Sequence, residues 1–549
     1  MNQNCTNLSD ADLPGRGQAS NEPFIAQDPN APDHLVASFN DYRAGEGTCA
    51  TAYSRNGGQT WSDVAVPNSF TRGSAFGTAR EYWQTGGDGT VAFDSRANAY
   101  LACQRFQRGG GDSSNQDLSS GIYVFRSTGN GGASWNFPGR PVIESADVQG
   151  AAGGFPFEDK PVLTVDSNPA SPYRDRIYVT FTEFDVVNGI LTYESYSDDF
   201  GEHFSPKVLV FNSAAVCPNS FFGPADDCDA GIDGQPFVGP DGAVYVVQEN
   251  FNNFFYNATD NHNQVILARS SDGGRSFATP VKVADYYDLP DCASYQAGQD
   301  PGRSCVPEKN PASANSIFRA INYAVGAVNP RNARQVAVVF GSYINPDSNE
   351  STGCSPAYFA GDALNTYDGV KAPGGCSNGI LLSISNDGGL TFSGGSTDPR
   401  RLTSVTPSAA QGGTDQFWPW AAFTLGGTLV VSYYDRQYGS DEFTGFSDVS
   451  MAASRDLVHF SATRITSSSM PPPSQFEGTF YGDYAGLSAA GGAIHPIWAD
   501  TRTAELFLCP GTGTPLHPPA VCTGSAPNAN PANNQEIFTV IVPSPFGGG

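Results

Sequence analysis

Residues 270–277 read "SSDGGRSF", and close copies of this string, here called the boxes, recur along the chain. The other copies are "SRNGGQTW" at 54–61, "TGNGGASW" at 128–135, "SDDFGEHF" at 197–204 and "SNDGGLTF" at 385–392, with a decayed copy, "SRDLVHF", at 454–460. The first four boxes follow one another at intervals of roughly 70 residues, and a regular interval of this kind indicates a structural repeat.

Two apolar runs precede each box. In one example, "KPVLTVDS" at 160–167 is followed by "RIYVTFTEFD" at 176–185. A seventh pair, "DYAGLSAAGG" and "AIHPIWADTR" at 483–502, lacks a box and leads to "QEIFTVIVP". Each unit therefore reads as strand a, a tight turn, strand b, a variable loop, strand c, the box and strand d. Four antiparallel strands repeated around an axis are the blades of a β-propeller.

The sequence therefore predicts an all-β protein that forms a single β-propeller domain over residues 1–549, with seven four-stranded blades and six as the fallback count. Residues 1–20 are expected to close the ring by supplying the fourth strand that the last unit lacks. The predicted blades span about 21–70, 80–145, 158–212, 232–285, 319–404, 415–468 and 481–545.

Composition limits the partners. The chain carries 29 Lys and Arg against 55 Asp and Glu, which gives a net charge of −26. Nucleic acid is excluded as a general partner because phosphate binding needs a basic surface. The same charge opposes adhesion to anionic membranes. No apolar run approaches the length of a membrane span, so membrane insertion is not expected.

The eleven cysteines favour an oxidising compartment. Four pairs bracket short polar loops and are predicted to form disulfides: Cys217/Cys228, Cys292/Cys305, Cys354/Cys376 and Cys509/Cys522. Cys5 is expected to pair with Cys49, which would leave Cys103 as a buried free thiol. Because Met1 leads directly into polar residues, the chain is interpreted as a secreted, extracellular protein in its mature form, without its signal peptide.

The boxes resemble the Asp-box, the bacterial neuraminidase repeat found in sialidases and other β-propellers. The resemblance covers about residues 20–505 and rests on the pattern S-x-D-x-G-x-T-W, of which "SNDGGLTF" at 385–392 is a close copy. It implies a propeller fold whose c–d turns are the boxes, and a sialidase-like activity.

Antiparallel pairing places the functional residues at the end of the blades opposite the boxes. The start of strand a and the end of strand b share one end of each blade, whereas the box turns lie at the other end. In the boxes, Gly supplies positive φ angles and Asp or Asn bonds nearby amides, so a structural role is favoured over ligand binding. No cofactor is expected, and a structural calcium ion is the alternative.

The end formed by the a-starts and b-ends, the mouth, concentrates arginines in an acidic protein. The predicted substrate-binding residues are Arg43, Arg80, Arg319, Arg436, Arg502, Trp418 and Asp483. Arginine forks bind carboxylates in a bidentate way, so an anionic glycan is the expected ligand. In the alternative interpretation, pairs such as Asp41/Arg43 and Asp500/Arg502 are ion pairs that lock the ring.

The resemblance to sialidases also implies catalytic roles. Tyr484 or Tyr323 would be the nucleophile, Glu249 or Glu183 its base, and Asp41 the acid/base. The resulting hypothesis is a secreted, sialidase-like glycoside hydrolase that acts on a carboxylate-bearing glycan. One alternative is a propeller lyase that cleaves uronate chains by β-elimination, with arginines neutralising the uronate. Another is a non-catalytic propeller that binds glycan or protein.

Overall fold

The computed structural model describes residues 19–43, 47–67, 83–107, 119–145, 156–185, 187–218, 220, 222–251, 261–292, 303–309, 316–348, 353–357, 364–365, 367–371, 375–406, 408–438, 446–473, 476, 480, 482–503 and 533–543. These residues form seven four-stranded antiparallel sheets, arranged as the blades of a propeller. The prediction of an all-β, seven-bladed fold is confirmed.

The blades are numbered in chain order. Blade 1 contains β1 (Ser20–Asp28), β2 (Ala31–Asp41), β3 (Thr48–Ser54) and β4 (Ser62–Val64), and blade 2 contains β5 (Thr85–Phe93), β6 (Ala99–Phe106), β7 (Ser120–Ser127) and β8 (Phe137–Ser145). Blade 3 contains β9 (Phe157–Val165), β10 (Ile177–Asp185), β11 (Gly189–Ser197) and β12 (Val208–Leu209). Blade 4 contains β13 (Gly231–Val238), β14 (Val244–Asn250), β15 (Asn263–Ser270) and β16 (Val281–Tyr286).

A smaller sheet is inserted around blade 5. It contains β17 (Asp291–Cys292), β18 (Arg303–Pro307), β19 (Ser316–Arg319) and β23 (Leu364–Asn365), and a two-stranded ribbon joins β22 (Ser355–Pro356) to β24 (Tyr367–Asp368). Blade 5 contains β20 (Val325–Asn329), β21 (Asn332–Ser342), β25 (Gly379–Ser385) and β26 (Thr403–Ser404). Blade 6 contains β27 (Gln416–Phe423), β28 (Leu429–Asp435), β29 (Asp448–Ser454) and β30 (Ser461–Arg464). Blade 7 contains β31 (Gly486–Ser488), β32 (Ala493–Asp500), β33 (Glu536–Thr539) and β34 (Val542–Pro543).

The core lies in the seams between neighbouring blades. In the seam between blades 4 and 5, Tyr245 and Leu267 belong to one buried cluster with Val338 and Phe340. Strands buried on both faces need near-continuous apolar runs, which explains sequences such as "VYVV" in β14. Fully burying one such side chain stabilises the fold by roughly 1.5–3 kcal/mol.

Blade 7 meets blade 1 at the closure of the ring. The Ser20 amide donates to the Gln535 carbonyl over 2.8 Å, and β33 and β34 both pair with β32. All four residues of β33 are half-buried, whereas β29, the equivalent strand of blade 6, is buried throughout. Residues 1–18, which carry most of the predicted ring-closing segment, lie outside the described residues.

The disulfides correct one expectation. Cys49 of blade 1 bonds Cys103 of blade 2, so Cys103 is not a free thiol and Cys49 does not pair with Cys5. The two strands lie face to face across the seam, a proximity that the spacing of 54 residues does not reveal. Two predicted pairs, Cys217–Cys228 and Cys354–Cys376, are confirmed.

Cys305 is also disulfide-bonded. Cys5, Cys509 and Cys522 lie outside the described residues. Helix is scarce in the described part of the chain, where α1 (Ala409–Gly412) is a single turn. No described helix is both long and apolar enough to cross a membrane.

The boxes form one recurrent turn at the end of strand c. In the fifth copy, the Ser385 hydroxyl donates to the Asp387 carboxylate over 2.7 Å and accepts from the Gly389 amide over 2.8 Å. Gly389 has a φ of +85°, which favours glycine. In the decayed sixth copy, Leu457 takes this position with a φ of +61°. Ser385 pairs with Val336 at the start of strand b, so this box lies at the end of its blade away from the mouth.

Candidate active site

Each blade presents one residue at an equivalent position in its innermost strand or, in blades 5 and 7, two residues before it; this is here called the axial position. The seven axial residues are Glu22, Asp88, Lys160, Asp233, Tyr323, Trp418 and Tyr484. In blades 1 to 4 and 6 this residue lies within a shift of the strand register. There it has a positive φ of +49° to +59°, an uncommon conformation for residues other than glycine. Such strain is retained where the surrounding structure imposes it, and functional sites are a frequent location.

Most axial side chains converge on the propeller axis. The Lys160 Nζ of blade 3 lies 2.7 Å from Asp483 Oδ2 of blade 7, 3.5 Å from Asp88 Oδ2 and 3.9 Å from Glu22 Oε1. Blades 3 and 7 are not neighbours in the ring, so this contact crosses the axis. Asp88, Lys160, Asp233, Tyr323 and Tyr484 line one axial cavity. We call these five residues, with Glu22, Asp483 and Arg319, the axial cluster.

Arg319 joins the cluster from the inserted sheet. Its guanidinium makes two parallel hydrogen bonds to Asp483, with Nε and Nη2 lying 3.1 Å and 2.8 Å from the two carboxylate oxygens. The same guanidinium stacks over the Phe480 ring at 4.4 Å. The predicted blade 5 begins at residue 319, but the structure places Arg319 at the end of β19, outside the blade.

Burial dominates the electrostatics of the carboxyls. Loss of solvent, followed by repulsion from Asp88, raises the pKa of Glu22 well above its usual range. The same two causes raise the pKa of Asp159 to about 6. Burial also raises the pKa of Asp233 to about 7, although the charge of Lys160 opposes this shift.

Asp483 and Lys160 stay charged. Burial opposes the ionisation of Asp483, but the adjacent Arg319 and Lys160 hold its pKa far below the usual range. Burial likewise opposes the charge of Lys160, but Asp483, Asp88 and Glu22 hold its pKa well above the usual range. The axial cluster therefore contains one firmly ionised carboxylate, Asp483, beside two carboxyls whose pKa values are raised, Glu22 and Asp233.

The two predicted tyrosines are neighbours at the axis. The rings of Tyr323 and Tyr484 are 6.1 Å apart, and both side chains are buried. Burial raises the pKa of both phenols well above the usual range, with a further contribution from the charge of Asp233 for Tyr323 and of Asp88 for Tyr484. Both phenols are therefore neutral at physiological pH.

The two predicted bases lie in different surroundings. Glu249 is 1% exposed, neither of its carboxylate oxygens has a hydrogen-bond partner among the described residues, and burial raises its pKa well above the usual range. Its charge would act on Tyr323 and Asp233, which places it beside the axial cluster. Glu183 instead forms an ion pair with Lys207.

The other predicted mouth residues are not part of the axial cluster. Arg43 pairs with Asp41 and Arg502 with Asp500, each through a bond of 2.6 Å between two residues of one blade. Arg436 is buried beside Asp415 at 3.3 Å. Trp418 packs between Phe318 and Tyr434 rather than lining the axis. Arg80 lies outside the described residues.

Two cavities compete as the candidate site. A cavity of about 560 Å³ lies in the seam between blades 7 and 1, where Arg43, Trp61 and Phe538 line it. The axial cavity holds only about 10 Å³. We favour the axial cluster because perturbed carboxyls of opposite behaviour meet there, and such pairs mark acid–base sites. Among the described residues, no group of three or more His, Cys, Asp or Glu is arranged to hold a metal ion.

Two features of the site escaped prediction. Asp88 lies in "GGDGT", a string typical of a loop, yet it is the axial residue of blade 2. A rim of half-buried aromatic rings, Tyr42, Phe476 and Phe480, adjoins Arg319. Tyr42 directly follows strand b of blade 1, a position at which the sequence predicts residues of the mouth. The linker that carries the two phenylalanines has no periodic pattern from which their place could be predicted.

The chain is similar in fold to several solved structures. A protein of unknown function from Dyadobacter fermentans shares 16% identity over 80% of this chain and 96% of its own, with a TM-score of 0.39. A leech intramolecular trans-sialidase complexed with 2,7-anhydro-Neu5Ac shares 12% identity over 82% of this chain and 68% of its own, with a TM-score of 0.40. An ulvan lyase, described as a new family of polysaccharide lyase, shares 10% identity over 75% of this chain and 78% of its own, with a TM-score of 0.39.

No family model and no curated protein sequence matches this chain. The likeness to these solved structures is one of fold alone.

Proposed function

We propose that the protein is a secreted carbohydrate-active enzyme, a glycoside hydrolase whose acid–base chemistry takes place in the axial cluster. The repeated box turns and the seven blades support a place among the Asp-box propellers. The disulfides Cys49–Cys103, Cys217–Cys228 and Cys354–Cys376 support an extracellular location.

One arrangement carries the proposal: Asp233 and Lys160 line the axial cavity, the Lys160 Nζ lies 2.7 Å from Asp483 Oδ2, and these surroundings displace the pKa values of the two carboxyls in opposite directions. Glycoside hydrolysis needs a carboxylic acid that protonates the leaving oxygen and a carboxylate that acts on the other side of the reacting carbon. With a pKa of about 7, Asp233 keeps its proton on a large fraction of molecules at neutral pH. We assign it as the acid and Asp483 as the ionised carboxylate.

The size of the axial cavity supports hydrolysis. A volume of about 10 Å³ is close to the space that one water molecule needs. Acidic, basic and phenolic side chains line it, so a water there has the polar partners it requires. The sugar would then bind above the cavity, at the rim, where Arg319 is the most exposed charged side chain of the cluster.

The charge of the substrate follows from the ion pairs. Arg43, Arg319, Arg436 and Arg502 each pair with an aspartate of this chain. A substrate carboxylate that took Arg319 would leave the buried Asp483 with Lys160 as its remaining cation and would break a bidentate ion pair, which is costly. The anionic glycan expected from the sequence remains a prediction. Because the arginines are paired within the chain, we propose uncharged glycans as the first substrate class.

The test is the release of reducing ends from neutral polysaccharides, sialosides and uronate polymers. We expect hydrolysis by the native protein and a loss of kcat of about 10²-fold or more for Asp233→Asn and for Asp483→Asn. Activity should also fall as the pH rises through about 7, because Asp233 must carry its proton to act as the acid.

A matched control is Asp285→Asn on the outer strand of blade 4, where the carboxylate pairs with Lys282 at 3.0 Å. Its kcat should match the native value. Unsaturated uronate products, seen as new ultraviolet absorbance, would replace the proposal with lyase chemistry. Binding of a glycan without any turnover would replace it with a binding module.

A further inference from the structure

The seam that closes the ring, between blades 7 and 1, contains the larger of the two cavities, about 560 Å³, here called the seam cavity. In blades 1 to 6 the fourth strand pairs with the third. In blade 7, β33 and β34 both pair with β32, so the outer edge of β33 has no partner strand among the described residues. The seam cavity lies along β33, where residues 534–539 line it, and faces the outer strands of blade 1 through Ala52 and Asp63.

The tryptophan of the first box borders this cavity. Trp61 and Trp135 hold the same position in boxes 1 and 2. Trp135 is 5% exposed, and its Nε1 donates to the Thr51 hydroxyl of the neighbouring blade over 2.8 Å. Trp61 is half-buried and lines the cavity, and its Nε1 donates to the Gly58 carbonyl of its own box over 3.1 Å. At the closing seam the box ring therefore borders open space that is filled by protein at the next seam.

The walls of the seam cavity are apolar and its opening is polar. The buried wall includes Phe39, Ala52 and Ile497, whereas Gln59 and Asp63 are exposed and so lie at the opening. The volume falls in the range of cavities that hold small organic ligands, about 300–1,000 Å³. Apolar walls with a few polar groups are also the usual composition of such sites.

The charges at the opening exclude one class of ligand. Hydrogen bonding to Asp41 raises the pKa of Arg43, and the charges of Asp63 and Glu536 contribute to the same shift. Three carboxylates thus surround the one cation among the described residues that line the cavity. The excess negative charge repels anions, while the carboxylates and the Gln59 amide accept hydrogen bonds from hydroxyl groups.

We propose that the seam cavity binds one or two units of a neutral glycan, as a second carbohydrate site apart from the axial cluster. The C–H groups of a sugar ring suit the apolar walls, and its hydroxyls suit the acceptors at the opening. The inference rests on the proposed carbohydrate-active function for its class of ligand, but it does not require hydrolysis.

The test measures binding without turnover, in the Asp233→Asn background. Mono- and oligosaccharides of glucose, xylose, mannose, arabinose and galactose are titrated by calorimetry, with a sialoside and a uronate oligomer as anionic probes. We expect at least one neutral sugar to bind and to change the tryptophan emission, because Trp61 borders the cavity. Ala52→Leu, which takes up cavity volume, should weaken this binding about ten-fold or more, and Trp61→Phe should weaken it about two- to five-fold.

The matched control is Ala462→Leu, which makes the same replacement at an exposed position on the outer strand of blade 6 and should leave Kd unchanged. Three results would overturn the proposal: no binding of any neutral sugar, a preference for the anionic probes, or undiminished binding by whichever of the two cavity variants folds. If binding depends on the seam cavity but the native protein releases no sugar, the seam site stands and the hydrolase proposal falls. Release of sugar without binding in the seam gives the reverse conclusion.

Discussion

Lys160 faces four buried carboxylates across the axis: Asp483, Asp88, Glu22 and Asp233. Replacing it in Lys160→Met keeps the length of the side chain and removes the charge. We expect the free energy of unfolding at about pH 8 to fall by roughly 3–5 kcal/mol, because breaking a buried pair leaves its partners uncompensated. At about pH 5 the loss should be smaller, since Glu22 and Asp233 then carry protons. Denaturant midpoints at the two pH values measure both effects.

The control for this residue is Lys282→Met on the outer strand of blade 4. Lys282 also pairs with an aspartate, but both side chains are partly exposed, so we expect a change below about 1 kcal/mol at either pH. An equal loss in the two variants, or a loss at Lys160 that does not depend on pH, would contradict the electrostatic role assigned to the axial lysine.

At the scale of single elements, the box turn connects strand c to strand d and has a structural role. Ser385 is 1% exposed, and its hydroxyl satisfies the Gly389 amide. We expect Ser385→Ala to lower the free energy of unfolding by about 1–3 kcal/mol, because a buried amide loses its partner. The variant should keep its kcat/KM, since the box lies at the end of the blade away from the axial cluster. Thermal unfolding and initial rates measure the two quantities.

The comparison variant is Ser461→Ala, an exposed serine on the outer strand of blade 6, which should change neither quantity. A loss of activity in Ser385→Ala without a loss of stability would instead assign a functional role to the boxes.

The strands also show which features of the fold can be predicted from the sequence and which cannot. The apolar runs and the boxes predict seven units because packing between blades demands that pattern in every copy. The bulge in strand a leaves no such pattern: the strand predicted from "GTVAFDS" starts after Asp88, whereas β5 begins at Thr85 and kinks at Asp88. The sequence offered the Asp41/Arg43 ion pair as one of two interpretations, whereas the contact of Arg319 with Asp483 of blade 7 joins residues too far apart in the sequence to be predicted.

At the scale of the whole molecule, the buried carboxyls set the pH dependence of stability. Burial raises the pKa of Asp159 to about 6, of Asp233 to about 7 and of Glu158 to about 8. The unfolded chain releases these protons near pH 4, so between about pH 4 and 8 the folded protein binds more protons. Stability therefore falls as the pH rises through this range. Burial lowers the pKa of His495 to about 4, so this one group contributes the opposite pH dependence of stability.

We expect Tm to be lower at about pH 8.5 than at about pH 5.5 by roughly 3 °C or more. Scanning calorimetry at constant ionic strength measures this difference. A Tm that stays constant or rises over the same interval would show that these carboxyls ionise in the folded protein without a loss of stability. That result would contradict the raised pKa values that follow from their burial.

The kink that five blades share at their axial position has a consequence for engineering. The backbone has the same left-handed conformation at this position in all five blades, although the side chain there is Glu, Asp, Lys or Trp. The conformation therefore does not depend on one type of side chain. Each of these five blades thus offers one backbone position that accepts chemically different side chains. A designer could rewrite the central chemistry one blade at a time, leaving the seams and the turns that hold the ring together untouched.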